Sequence, residues 1–155
     1  MQHRTDSNRV DLALALLRVV VGAVFVIHGA QKLFVFGFGG VTGAFGQMGL
    51  PAPGIVGPLT ALVEFLGGLA LIAGLLTRLA GIGLAVAMLG AIAFVHLPNG
   101  FFAPKGFEYP LSLLAAVGAL AIAGAGRYSI DHMIASRRFT GAESTYERDR
   151  ARRAA

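Results

Sequence analysis

Six ionisable side chains stand within or at the rim of otherwise apolar stretches: Arg18, His28, Lys32, Glu64, His96 and Glu108. At the centre of a bilayer each such group costs about 2.5–3.5 kcal/mol even on the lenient insertion scale, so residues of this kind turn toward a bundle interior and find partners. Their types suit proton and anion chemistry. Histidine changes charge closest to neutrality, lysine attracts anions, and a buried carboxylate pairs with a cation or takes a proton. His28, Glu64 and His96 are therefore the candidate catalytic groups, and Arg18, His28, Lys32, Glu64, His96 and Glu108 the candidate substrate-binding set. A His–Glu–His set could also bind a metal, and two histidines on separate helices could be axial haem ligands. No close-spaced ligand pair and no wider haem pattern supports either, so no metal ligand is assigned and haem is disfavoured. The chain has no cysteine. It can supply no thiolate and no iron–sulfur cluster, so any sulfur chemistry comes from a substrate or another subunit.

The elements that must position these groups follow from composition. Of 155 residues, 55% are hydrophobic and 14% charged, against about 25% charged in an average soluble domain. Mean hydropathy is +0.71. Such a chain is not a soluble enzyme, a disordered protein or a disulfide-stapled secreted domain, and its length fits one domain. A membrane helix needs about 20 mostly apolar residues, and four stretches qualify, at 12–33, 55–76, 79–97 and 110–125. Pro58 and Pro110 sit near helix starts, and Pro98 ends the third helix. The expected fold is all-α, an integral membrane four-helix bundle, with a segment 1–11, a core 12–131 and a basic tail 132–155. The first span is expected to be retained rather than cleaved as a signal peptide, since its apolar character runs past any cleavage site. Residues 35–54, rich in Gly and Pro, read as a flexible loop. That places the Gly39–Gly43 spacing outside any helix, and the Gly37–Gly40 run lacks the helix start of a phosphate cradle.

Helical spacing sorts the polar residues by face. Arg18, Gly22, Phe25, Gly29 and Lys32 form one stripe, and Gly57, Ala61, Glu64, Gly68 and Leu71 another of the same spacing. Small residues in such stripes let membrane helices approach closely. On the fourth helix Ser112, Ala115, Ala119 and Gly126 are expected to face inward. Measured along the helices at 1.5 Å per residue, Arg18 lies about 10 Å and Glu64 about 20 Å from one end, with His28, His96 and Glu108 together at about 26–28 Å. Glu64 is thus within reach of Arg18 below or His28 above, and a buried Arg18–Glu64 pair is expected to lock the first two helices. Lys32 would attract an anion or snorkel, as Lys105 would.

Orientation follows from loop charge. One side carries Arg4, Arg9, Arg78 and the arginines from Arg127 to Arg153; the other carries only Lys32 and Lys105. Both termini are expected in the cytoplasm, with the polar cluster opening outward, in a bacterial inner membrane. The basic tail reads as a topology signal and lipid contact rather than a nucleic-acid surface, because no folded basic face or base-stacking motif accompanies it.

At these residues the chain resembles the DoxX family of small bacterial membrane proteins. LLRVVVGAVFVIHGAQKL matches its Arg–Gly–His-Gly–Lys pattern through Arg18, Gly22, His28, Gly29 and Lys32. EFLGGLALIAGLLTR resembles its second motif, through Glu64, Gly67, Gly68, Gly74, Thr77 and Arg78. GFEYPLSLL and GAGRYSID resemble its outer loop and closing motif, so the likeness spans 12–131. The resemblance implies four membrane helices and a link to redox work. Relatives include a subunit of an archaeal thiosulfate:quinone oxidoreductase and a mycobacterial protein associated with superoxide dismutase and a sulfurtransferase. By this resemblance the chain would be the membrane subunit of a redox system handling a quinone or a small sulfur species, with a redox enzyme as partner. A non-catalytic scaffold or small-solute carrier, acting as a homo-oligomer, is the alternative.

Overall fold

The computed structural model describes residues 2–137, with side chains from residue 7 onward. Most of the basic tail, 138–155, lies outside the described residues. The described chain is helical with no strand: α1 (Gln2–Ala30), α2 (Gly37–Gln47), α3 (Pro53–Ala73), α4 (Thr77–Ala91) and α5 (Glu108–Ala123), followed by a helical stretch at 130–137. Two segments are wound more widely. Gln31–Phe36 joins α1 to α2 as a π-helix, and Ile92–His96 prolongs α4 in the same way before the short 3-10 turn Leu97–Asn99. Three helical runs, Ser7–Gln47, Pro53–Ala73 and Thr77–Asn99, are long and apolar enough to cross a membrane, and α5 is a shorter apolar helix. Large apolar residues such as Leu16, Ile27, Leu66, Leu79, Val86 and Ile122 face outward, as hydrocarbon solvent permits and water does not.

Two small-residue stripes pack α1 against α3. Arg18, Gly22, Phe25 and Gly29 are buried on α1, and the buried residues of α3 are Gly57, Ala61, Glu64, Gly68 and Leu71. The backbones nearly touch there. A Cβ on Gly22 would stand 2.7 Å from the Gly68 carbonyl oxygen, and one on Gly68 equally close to the Gly22 carbonyl oxygen and the Val26 nitrogen. Around this seam Phe25, Leu71, Leu84, Met88, Val117 and Leu120 form the core.

Three expectations need correction. Residues 35–54 are not a loop, because α2 occupies Gly37–Gln47. Its glycines cost up to about 1 kcal/mol each in helix propensity, but at a bilayer every backbone N–H and C=O needs an internal partner, which a helix supplies. Gly37, at φ 65°, makes the break that the π segment leads into, and Val41 then packs on the bare backbone of Gly57. Second, Ser112, Ala115 and Ala119 are exposed, and α5 buries Pro110, Val117 and Leu120 instead. The close approach between α4 and α5 is made by Gly81 of α4, where a Cβ would meet the Val117 carbonyl oxygen at 2.9 Å. The small residue on one helix leaves the other free to turn its bulky side inward. Third, Arg18 and Glu64 do not pair, and the two residues belong to opposite ends of the bundle.

Candidate functional site

Arg18 closes one end. Its Nη1 donates to the carbonyls of Leu71 (3.2 Å) and Ile72 (3.0 Å) in the last turn of α3, and its Nη2 donates to the carbonyl of Tyr128. A helix C-terminus carries partial negative charge, so a guanidinium there is electrostatically matched. Gly74, at φ 66°, ends α3 under the guanidinium, where a side chain would collide with it. The Asp131 carboxylate accepts from the N–H groups of Leu76 (2.7 Å) and Thr77 (3.0 Å), capping α4 from across the molecule. That cap holds Leu76 at φ 48°, an unusual conformation for a residue with a branched side chain. Asp11 accepts from the Arg127 N–H at 3.0 Å. The Gly124–Asp131 segment is thus the plug that fastens this end.

The other end holds the remaining site residues. Lys32 Nζ donates to Glu64 Oε2, and the pair is largely buried, with side-chain exposures of 21% and 5%. The pair borders two cavities. On one side a groove of about 490 Å³ runs between α3 and α4, walled by Val56, Leu59, Val63, Val86 and Phe94 and roofed by Phe45 of α2, with Lys32, Glu64 and His96 at its polar end. On the other side a chamber of about 130 Å³ is lined by Phe25, Met88, His28, Tyr109 and the same Lys32, Glu64 and His96. Lys32, Glu64 and His96 form the partition between the two spaces. His28 reaches only the chamber, with its ring 6.3 Å from that of Tyr109.

Two of the three partition residues come from the π-helical segments, Lys32 from Gln31–Phe36 and His96 from Ile92–His96. Such widened turns are frequent at functional sites. Pro98, lacking an N–H, removes one rung of the hydrogen-bond ladder just beyond the second of them. His96 is also fixed from outside. Its Nδ1 lies 2.8 Å from the carbonyl oxygen of Lys105, in a loop where the ring of Phe101 meets those of Phe102 and Phe107 edge to face. Glu108, expected among the binding residues, serves this loop: its Oε1 accepts from the Ala103 N–H at 2.8 Å. Lys105 itself is exposed.

The structure therefore brings together His28, Lys32, Glu64 and His96 and sets Arg18 and Glu108 apart. Lys32 is not the free cation that would capture an anion, since its charge is met by Glu64. Among the described residues no group of three or more His, Cys, Asp or Glu side chains is placed to hold a metal ion. Tyr109, which the sequence offered only within the GFEYPLSLL motif, and the apolar groove walls were not assigned to the site from the sequence. The Glu-Tyr-Pro run at 108–110 was the one available signal for Tyr109, while the groove depends on where α2 folds back.

A helical membrane bundle with a buried ion pair standing between an apolar groove and a small chamber of mixed lining is the class of protein this geometry defines. The chain belongs to the DoxX family, whose model matches residues 13–97. It is 34% identical over 132 residues to an uncharacterized membrane protein of Mycobacterium tuberculosis, covering 78% of this chain and 80% of that protein. It is 33% identical over 124 residues to a Bacillus subtilis protein named "Putative oxidoreductase CatD", with 80% and 88% covered. The inner membrane protein YqjF of Escherichia coli is 33% identical over 129 residues, with 80% and 93% covered. No solved structure matches the chain.

Proposed function

We propose that this DoxX protein is the membrane subunit of a redox system, quinone- or sulfur-linked, and that its substrate meets the chain at His28, Lys32, Glu64 and His96. One observation carries the reading: the Lys32–Glu64 pair and His96 stand at the polar end of an apolar groove about 490 Å³ in volume, within the range of small-molecule sites. Apolar walls with a few convergent polar groups fit a molecule with a hydrocarbon tail and a compact polar head. Because Lys32 and Glu64 neutralise each other, the site favours a neutral quinone-type head over a sulfur oxyanion. A quinone exchanges two electrons and two protons when it reacts. The chain's own part is to bind the tail in the groove, orient the head at the partition and hold protons at the imidazoles of His96 and His28. The oxidoreductase name of the Bacillus subtilis relative supports the redox link. Arg18 fixes the helices and Glu108 the loop, each acting through structure.

The proposal extends to orientation and partners. Lys32 and Lys105 are the basic residues at the site's end, while Arg9, Arg78, Arg127 and Arg137 mark the other, which supports cytoplasmic termini and an outward-opening site in a bacterial inner membrane. With no cysteine in the chain, electrons have to reach the site from a substrate or a redox enzyme bound alongside. The test is quinone reduction by the purified protein, alone and with co-purified partners, with thiosulfate or sulfite as donor. Turnover that disappears in the Glu64→Gln variant is expected. Absence of turnover in every combination with the wild-type chain overturns the reading.

A further inference from the structure

The hydrogen bond between His96 and the Lys105 carbonyl fixes more than the position of the ring. A carbonyl oxygen only accepts, so Nδ1, at 2.8 Å from it, carries the proton. In the neutral ring Nε2 is then a bare acceptor, and it has no partner among the described residues. His96 shares the lining of the chamber with Lys32, Glu64, His28 and Tyr109. Lys32 keeps two N–H groups beyond the one given to Glu64. A head-group oxygen at the partition therefore meets a donor in Lys32 and an acceptor in His96. A carbonyl satisfies Lys32 alone. A hydroxyl accepts from Lys32 and donates to His96.

We infer that the site selects a neutral amphiphile whose head carries a hydroxyl, a hydroquinone or phenol, over its carbonyl-only oxidised counterpart, and that His96 Nε2 is the residue that makes the distinction. This rests on the proposed amphiphile site and adds the redox state that it holds. The physical basis is the asymmetry of hydrogen bonding: a site built to accept from a hydroxyl is left with an unpaired acceptor when the hydroxyl is missing. The paired charges of Lys32 and Glu64 argue against a phospholipid as occupant, since a phosphate would find no unmatched cation there. Discrimination of about tenfold is expected, the size of one such lost bond.

The experiment measures binding of a decyl-tailed hydroquinone and of the matching quinone to the full chain in detergent, under anaerobic conditions, by calorimetry. Wild type is expected to bind the hydroquinone about tenfold more tightly. His96→Asn keeps a donor near the Nδ1 position for the Lys105 carbonyl and removes Nε2, so it is expected to bind both forms equally, at the level of the quinone. Nitrogen NMR of the histidine-labelled wild-type protein reads the same point without a variant: an Nδ1-protonated neutral ring whose Nε2 resonance moves with hydroquinone and not with quinone. Equal binding of both forms by wild type, or a preference that survives in His96→Asn, overturns the inference and leaves the proposed function standing. Binding of neither form overturns both. A decyl phosphocholine that binds as tightly as the hydroquinone marks the groove as a lipid seat and also overturns the inference.

Discussion

The bundle buries a charge at each end and treats the two differently. Arg18 is fastened to backbone: Nη1 and Nη2 of its guanidinium donate to three carbonyls from two separate parts of the chain, and it lines neither the groove nor the chamber. Lys32 and Glu64 make one bond to each other and face open volume on both sides. A buried charge bonded to backbone carbonyls away from any cavity is fastening, whereas one with donors to spare beside a cavity is equipped to meet a ligand. The largest expected effect follows from the first half of that comparison. Arg18→Ala takes the side-chain donor from the Ile72 and Tyr128 carbonyls together, and should cost about 3–5 kcal/mol. Thermal unfolding in detergent measures it, and Arg18→Lys should recover less than half, since a single ammonium cannot span the same fork of acceptors. A loss under about 1 kcal/mol would remove the fastening role.

The second half predicts a smaller stability effect and a larger functional one. Glu64→Gln leaves Lys32 without its carboxylate, but Lys32 keeps 21% exposure, so the penalty should be about 1–2 kcal/mol. Turnover should fall at least tenfold. Replacing both partners, Lys32→Met with Glu64→Gln, removes the desolvated charges together and should restore stability close to wild type without restoring turnover. Stability and activity then separate at this end and travel together at the Arg18 end. A double variant that is as active as wild type would make the Lys32–Glu64 pair architecture, like Arg18, and would favour a scaffold.

Much of this was legible in the sequence, and the reasons are specific. The α1 and α3 stripes were readable because small residues at helical spacing leave one way for two helices to meet, and Gly22, Gly29 and Gly68 require it. The partner of Glu64 was not. Counting residues along straight α-helices put Arg18 and His28 within its reach, but the π-helical turn at Gln31–Phe36 re-aims Lys32, and no local residue type announces that turn. Arg18 was misassigned because its acceptors are backbone carbonyls, which carry no sequence identity. The α2 helix was hidden by its own composition: Gly37, Gly39, Gly40, Gly43 and Gly46 look like a loop to any propensity argument, and only the demand for backbone hydrogen bonds in a membrane makes them helical.

The smallest expected effect tests the remaining difference, between the two sides of α5. Its small residues, Ala115 and Ala119, face out, while Val117 and Leu120 are fully buried. If the outward side meets only lipid, Ala119→Leu adds apolar surface to an apolar solvent and should change stability by no more than about 0.5 kcal/mol. Gly81→Ala supplies the contrast, because its Cβ would press within 2.9 Å of the Val117 carbonyl oxygen and should cost about 1–3 kcal/mol as overpacking. Both are read as shifts in unfolding temperature on the same preparation. If Ala119→Leu proves as damaging as Gly81→Ala, the small side of α5 is packed rather than wetted by lipid. The packing partner would then be a second copy of the chain, since no described residue covers that side, and the loss should coincide with dissociation of an oligomer on size-exclusion chromatography.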